Sequence, residues 1–296
     1  MSLKQLRYLD AVAHEGHFGR AAARAGVSQP ALSVQIREME ARLGVQLIER
    51  HPGGGRLTDA GREIAARAAR ILTDIREIED FARSRGEGFA GPLRLGIIPS
   101  VAPFLLPRLL PRITIAFPKL ELVLRETITD NLTRELLEGD LDLMIASLPL
   151  SHPQIEHRVA YNEAFLLVAA GDDTPQDAPL PLHALTGERV LLLEDGHCLR
   201  DQVLQACGTS LEPERRAGGG ATSLSTLVEL VANGQGVTLV PELYGSNVCA
   251  GESRVRVTRF ADPQPERRVA LAWRRTHPLA ARFEEMRDLV SACITD

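Results

Sequence analysis

The chain has 296 residues, 44% hydrophobic and 25% charged, with four cysteines and a net charge of −5. That composition supplies a sizeable core and excludes a disordered chain or a disulfide framework; no run of 18 or more apolar residues suggests a membrane span. The start, "MSLKQLRYLD", has no export-signal pattern, so a cytoplasmic protein with free thiols is expected. Length alone points to two or three domains. Charge is uneven: residues 1–58 hold eight Lys/Arg against five Asp/Glu, while the remainder carries −8. A small basic head on an acidic body suits a nucleic-acid-binding end joined to a sensing or enzymatic end.

In chain order, Leu3, Leu6, Leu9, Val12 and Ala13 recur at helical spacing. His17-Phe18 interrupts, and "GRAAARAG" makes a short helix that stops at Gly26. A second helix follows at once, with Ser28 as N-cap, Pro30 in its first turn, and Leu32, Ile36, Met39 and Leu43 on one face. Two helices joined by a short glycine turn form a helix-turn-helix. Ser28, Gln29, Pro30, Ser33, Gln35 and Arg37 stand on the early turns of the second helix, where base edges and phosphates are met. "IERHPGGGRLT" reads as a β-hairpin wing around Pro52 and three glycines, bringing Arg50 and Arg56 to the DNA backbone.

The run "AAARAGVSQPALSVQIREMEARLGVQLIER" resembles the winged helix-turn-helix of the LysR-type transcriptional regulators. The resemblance implies a DNA-binding domain over 1–58 that reads a double-stranded operator, with the second helix in the major groove. It implies a regulator rather than an enzyme, with a self-paired dimer, a tetramer built from dimers, and RNA polymerase as a further partner.

Thr58 can cap a helix of about 27 residues, "DAGREIAARAARILTDIREIEDFARS". Its stripe of Ile64, Ala68, Ile71, Leu72, Ile75, Ile78 and Phe81 suits pairing with the same helix of a second chain. Residues 59–88 are therefore a dimerisation linker, ending in the "GEGFAGP" hinge.

Beyond it, "LRLGIIP", a helix near 104–117, "LELVLRETI", "LTRELLEGD" and "LDLMIASL" alternate strand and helix, which predicts a parallel sheet. Later strands are "EAFLLVAA", "RVLLLED", "GVTLVP", "RVRVTRF" and "RRVALAW", and the last helix covers about 279–293. The fold class is α/β behind a winged-helix head. The resemblance implies a regulatory domain over 89–296, similar in fold to a periplasmic-type binding protein, with lobe I over about 89–161 and 263–296 and lobe II over about 162–262. The chain crosses between lobes near Tyr161 and Asp262.

In such a sheet, ligands lie beyond the carboxyl ends of strands. Ser100 and Thr129 occupy two such ends, and "EDGHCLRDQ" a third. Cys198 there is flanked by His197 and Arg200, with Asp201 three residues on; basic neighbours favour the thiolate. Cys207 follows nine residues later in "LRDQVLQAC", which can be helical. An unbroken helix would put the two thiols on opposite faces, roughly 13–14 Å apart along the axis, whereas a disulfide needs Cα atoms within about 7 Å. Spacing alone leaves the plainer reading open, with Cys207 a small buried hydrophobe and Cys198 an incidental thiol.

"LLLEDGHCLRDQ", "GPLRLGIIPSVAPFLLP" and "GATSLSTL" look like the peroxide-sensing branch of the same family. That resemblance implies hydrogen peroxide as effector, Cys198 as the thiol it attacks, and Cys207 as the thiol that completes a disulfide. Ser100, Thr129, His197 and Asp201 would place peroxide and manage protons; Ser100 stands where that pattern has threonine. Two other functions compete. One is a regulator that binds a small organic anion between the lobes, with inert cysteines. The other is a thiol enzyme using Cys198 and His197. No P-loop, dinucleotide glycine fingerprint or metal-ligand cluster calls for a cofactor or metal.

Overall fold

Ser2 accepts a hydrogen bond from the Gln5 N–H, and the Gln5 side chain caps the Ser2 N–H in return, which opens α1 (Leu3–Glu15). In the computed structural model, residues 1–51, 54–84, 89–171, 179–208, 216–218, 221–249 and 253–295 are described. Pro52, Gly53, residues 85–88 of the hinge and the other gaps lie outside them. The chain divides into two units, Met1–Arg85 and Gly86–Asp296.

In the first unit α2 (Phe18–Arg24) starts one residue before the expected "GRAAARAG", because the His17 ring accepts the Gly19 N–H and caps it. Phe18 is buried and belongs to the core. α3 (Gln29–Leu43) is capped by Ser28 Oγ on the Ala31 N–H. Leu32, Ile36 and Met39 are fully buried, while Leu43, expected on that face, is exposed in the last turn. β1 (Ile48–His51) and β2 (Gly54–Leu57) pair antiparallel as the wing, with Arg50 opposite Gly55 and Arg56 opposite Glu49.

α4 (Asp59–Ser84) begins with Thr58 Oγ1 accepting the Gly61 N–H. Its apolar stripe divides in two. Ala65, Ala68 and Leu72 are buried in the core that α1 shares, whereas Ile71, Ile78 and Phe81 are exposed. The stripe is wider than a single coiled-coil seam, so its first half serves the head.

In the second unit, β3 (Gly91–Ile97) lies between β4 (Leu120–Glu126) and β5 (Leu143–Ser147), parallel to both. α5 (Ala102–Ala116), α6 (Thr129–Leu137) and α10 (Ala280–Thr295) accompany this sheet. The remainder of the sheet is antiparallel rather than parallel. β6 (Ile155–Ala170) carries the chain out of the first lobe and β11 (Glu266–Arg274) brings it back, pairing antiparallel with both β6 and β5. One excursion out and back makes the two neighbours run oppositely. β6 is also longer than "EAFLLVAA": its first half, "IEHRVAYN", is polar on one face and gives no apolar run.

The far half of β6 pairs with β9 (Thr238–Pro241) and β10 (Val255–Arg259). β7 (Val190–Leu192) pairs in parallel with β8 (Arg216–Gly218), a short strand with no sequence signal. α7 (Cys198–Cys207), α8 (Leu224–Ala232) and α9 (Glu242–Asn247) complete this lobe. Each lobe has its own core. One is built on Leu93, Leu95, Ile97, Ile145, Trp273 and Phe283, the other on Phe165, Val168, Leu191, Val231 and Val240. Among the described residues, no helix is long and apolar enough to cross a membrane.

Candidate functional site

Four helices begin around one cavity of about 350 Å³ in the second unit. Ser100 precedes α5, Thr129 opens α6, His197 and Cys198 open α7, and Ser223 caps α8; all five residues line it. Helix N-termini present unpaired N–H groups and partial positive charge, so the cavity favours negative charge and hydrogen-bond acceptors. Ile98, Phe104, Ile128 and Leu193 supply apolar wall between these groups, and Glu126 is a carboxylate on the same lining.

Ser100 is buried, and its Oγ accepts a 2.8 Å hydrogen bond from Arg267 Nη1 while its carbonyl accepts from Nη2 at 3.2 Å. With Oγ held as an acceptor, the Ser100 hydroxyl is free to donate into the cavity. Arg267 is itself fully buried and paired with Glu163, at 2.8 Å from Nε and 2.7 Å from Nη2. Glu163 also accepts the Leu243 N–H of α9 at 2.9 Å. These two residues face each other across β6 and β11, so the pair ties both crossings to the Ser100 end of β3. Sequence reading missed them. A charge at the edge of "EAFLLVAA" and another at the edge of "RRVALAW" were the available signal, but 104 residues separate them and only strand register joins them.

Thr129 Oγ1 is buried with no hydrogen-bond partner, a hydroxyl left for a ligand in the cavity it lines. Burial lowers the His197 pKa against an opposing pull from Glu194, which favours the neutral ring. It then serves as one donor or one acceptor rather than as a cation. Arg200 is also committed elsewhere: it donates to the Leu193 carbonyl at 3.0 Å and pairs with Asp195 at 2.8 Å. Cys198 therefore meets positive charge chiefly as the partial charge of the α7 N-terminus, in whose first turn it sits. Asp201 is exposed on α7 and is not among the residues lining the cavity.

Cys198 is half-buried and packs against the core of the first lobe. Cys207, at the other end of α7, is buried in the core of the second, and burial pushes its thiol up to about 11. Ten helical residues separate the two ends by ~13 Å. Gly196 at φ 91 and Gly208 at φ 52 flank the helix, in a region other residues rarely adopt. Between them Gln202 Nε2 donates to the Leu148 carbonyl of the first lobe at 3.0 Å. All four cysteines are free thiols, with Cys249 and Cys293 buried.

On the head, Ser28, Gln29, Pro30, Arg37 and Arg56 are exposed, and Ser33 and Gln35 are half-buried. Gln35 donates to Glu38 at 2.7 Å, which turns its amide along the helix.

Residues 3–62 match the model described as bacterial regulatory helix-turn-helix protein, lysR family, and residues 86–293 match the LysR substrate binding domain. A probable hydrogen peroxide-inducible genes activator from Streptomyces viridosporus is 41% identical over 291 residues, covering 96% of this chain and 92% of that protein. The DNA-binding transcriptional dual regulator OxyR of Escherichia coli K12 is 37% identical over 297 residues, covering 99% and 95%. Among solved structures, full-length OxyR of Pseudomonas aeruginosa with a cysteine-to-aspartate substitution superposes with a TM-score of 0.81 at 34% identity, over 99% of this chain and 95% of that one. A peroxide-bound OxyR of Corynebacterium glutamicum with a cysteine-to-serine substitution gives a TM-score of 0.69 at 32% identity, over 99% and 92%.

Proposed function

The chain belongs to the LysR family of transcriptional regulators, and from that premise we propose that it switches transcription in response to hydrogen peroxide. The observation that carries the reading is the placement of α7. Its first residue, Cys198, opens onto a cavity with the hydroxyls of Ser100 and Thr129, and its last, Cys207, is sealed in another core.

The Cys198 thiolate attacks one oxygen of peroxide. The O–O bond breaks, a sulfenic acid forms, and the departing hydroxide takes a proton to leave as water. Ser100 and Thr129 donate to the peroxide oxygens, and neutral His197 takes the proton of the Cys198 thiol and returns it to the leaving oxygen. Cys207 then attacks the sulfenic sulfur as thiolate, the S–O bond breaks, and a second water leaves. One peroxide is reduced to two waters and two thiols are oxidised to one disulfide. Asp201, on the exposed side of α7, joins the proton traffic only after the helix lifts.

The disulfide requires α7 to unwind, because its ends are too far apart while it is helical. Residues 59–88 pair two chains, dimers assemble into a tetramer, and the reshaped regulatory domain repositions the heads on operator DNA, where Ser28, Gln29, Pro30, Ser33, Gln35, Arg37, Arg50 and Arg56 make the contacts. RNA polymerase is the further partner, and the setting is the cytoplasm.

Mass spectrometry of the full chain after one equivalent of peroxide tests this. A Cys198–Cys207 linked peptide is expected, and its absence overturns the redox switch. DNA footprints indifferent to peroxide would instead assign the cavity to a small organic anion.

A further inference from the structure

α3 of the head carries one exposed apolar side chain in its middle. Val34 is 42% exposed, whereas Leu32 and Ile36, two residues to either side, are fully buried. Two residues are about 200° of helix rotation, so Val34 stands directly opposite the core-facing stripe. It lies one turn after Pro30 and one turn before Arg37, both exposed. Neither folding nor solubility accounts for valine here. A β-branched residue is a mediocre helix former, and an exposed isopropyl group contributes nothing to the core.

From this position we infer that Val34 reads a methyl group on the floor of the major groove, the C5-methyl of one thymine in each half-site. The inference rests on the assignment of α3 as the recognition helix and adds a base-specific contact to it. Valine has no donor or acceptor, and the methyl of thymine is the apolar feature that a base pair displays in the major groove. The neighbouring polar groups fit this division of work. Gln35 is turned toward Glu38, while Pro30 and Arg37 flank the groove-facing spot. 5-Methylcytosine presents the same methyl at the same place, so the contact reports the methyl rather than the hydrogen-bond pattern of the pair.

The test uses the full-length chain. Binding sites are selected from a random duplex library, and each thymine of the recurrent half-site is then replaced singly by uracil. One position per half-site should bind roughly fourfold more weakly when its methyl is gone. Val34→Ser should abolish that sensitivity, and Val34→Ile should keep it. At the same position, 5-methylcytosine opposite guanine should bind better than cytosine. A flat uracil scan, or a Val34→Ser protein with the native penalty, overturns the inference while leaving DNA reading intact. Failure to select any recurrent site overturns the recognition-helix assignment itself, and this inference with it.

Discussion

Cys198 and Cys207 are the first and last residues of one helix and are packed into different cores. That relationship makes the pair a barrier as much as a partnership. One thiol faces a cavity lined by helix N-termini and hydroxyls, while the other is held protonated by burial. Peroxide can reach the first thiol with the fold intact; the second joins only when its helix gives way.

Substituting each cysteine should stop the sequence at a different stage. Cys198→Ser should leave no sulfenic acid after stoichiometric peroxide. Cys207→Ser should accumulate it, detectable as a mass increase after trapping with a carbon nucleophile. Equal sulfenylation in both variants would assign the reactive thiol elsewhere.

The pH profile of the second step separates two routes. If Cys207 attacked from inside its core, the rate should climb about tenfold per pH unit toward about 11, the value its burial sets. If α7 unwinds first, the thiol is exposed and the climb should level off near the ordinary cysteine value of about 8.5. Rapid-quench alkylation at pH 7 to 10 should show the earlier plateau.

Arg267 and Glu163 should behave as a unit. Arg267→Met strands a buried carboxylate and removes the donors that orient Ser100, so a loss of about 3–5 kcal/mol in urea unfolding and slower Cys198 oxidation are expected. Adding Glu163→Met should restore most of the stability but not the oxidation rate. Recovery of both would show that the pair matters only for folding.

Asp142 links acid tolerance to the first lobe. Burial alone would raise its pKa, but the His277 ring 3.5 Å away and hydrogen bonds from Arg94 override this and hold the carboxyl well below its usual range. A depressed folded pKa means stability that is full above pH ~4, the unfolded value, and lost as pH falls toward the folded one. Asp142→Asn should therefore flatten the acid limb of the melting curve, followed by the fluorescence of Trp273, buried in the same core.

Exposed Ile78 and Phe81 on α4 should carry self-association. Ile78→Asp should shift the sedimentation coefficient of full-length protein toward that of a single chain. An unchanged coefficient would place the dimer contact elsewhere.

The elements that were legible in sequence are those with a local signature. Ser28 and Pro30 announce α3, and the apolar runs of β3 and β5 announce strands, because caps and periodicity act within a few residues. The cavity was partly legible: Ser100, Thr129 and Cys198 sit just past strand ends, a place the fold class dictates. Arg267 and Glu163 were not, since strand pairing between distant segments has no local sign. The electrostatics depend on burial and side-chain pairing, which residue type alone does not give. His197 and Arg200 are basic in sequence, yet burial favours the neutral form of one and Asp195 occupies the other. The first half of β6 was hidden because a strand half-open to solvent needs no continuous apolar run.

The sixteen residues of β6 run from one lobe into the other as a single strand, bulged at Ala160 but braced by β11 and by a salt bridge sealed at the crossing. A domain built on such a girder is a poor clamshell, since opening and shutting it would shear the strand that both halves share. Shape change is thereby channelled into α7, whose ends are glycine-jointed and whose sulfurs have reason to meet. The stiffness of the frame is what lets a two-electron event stay a local folding event.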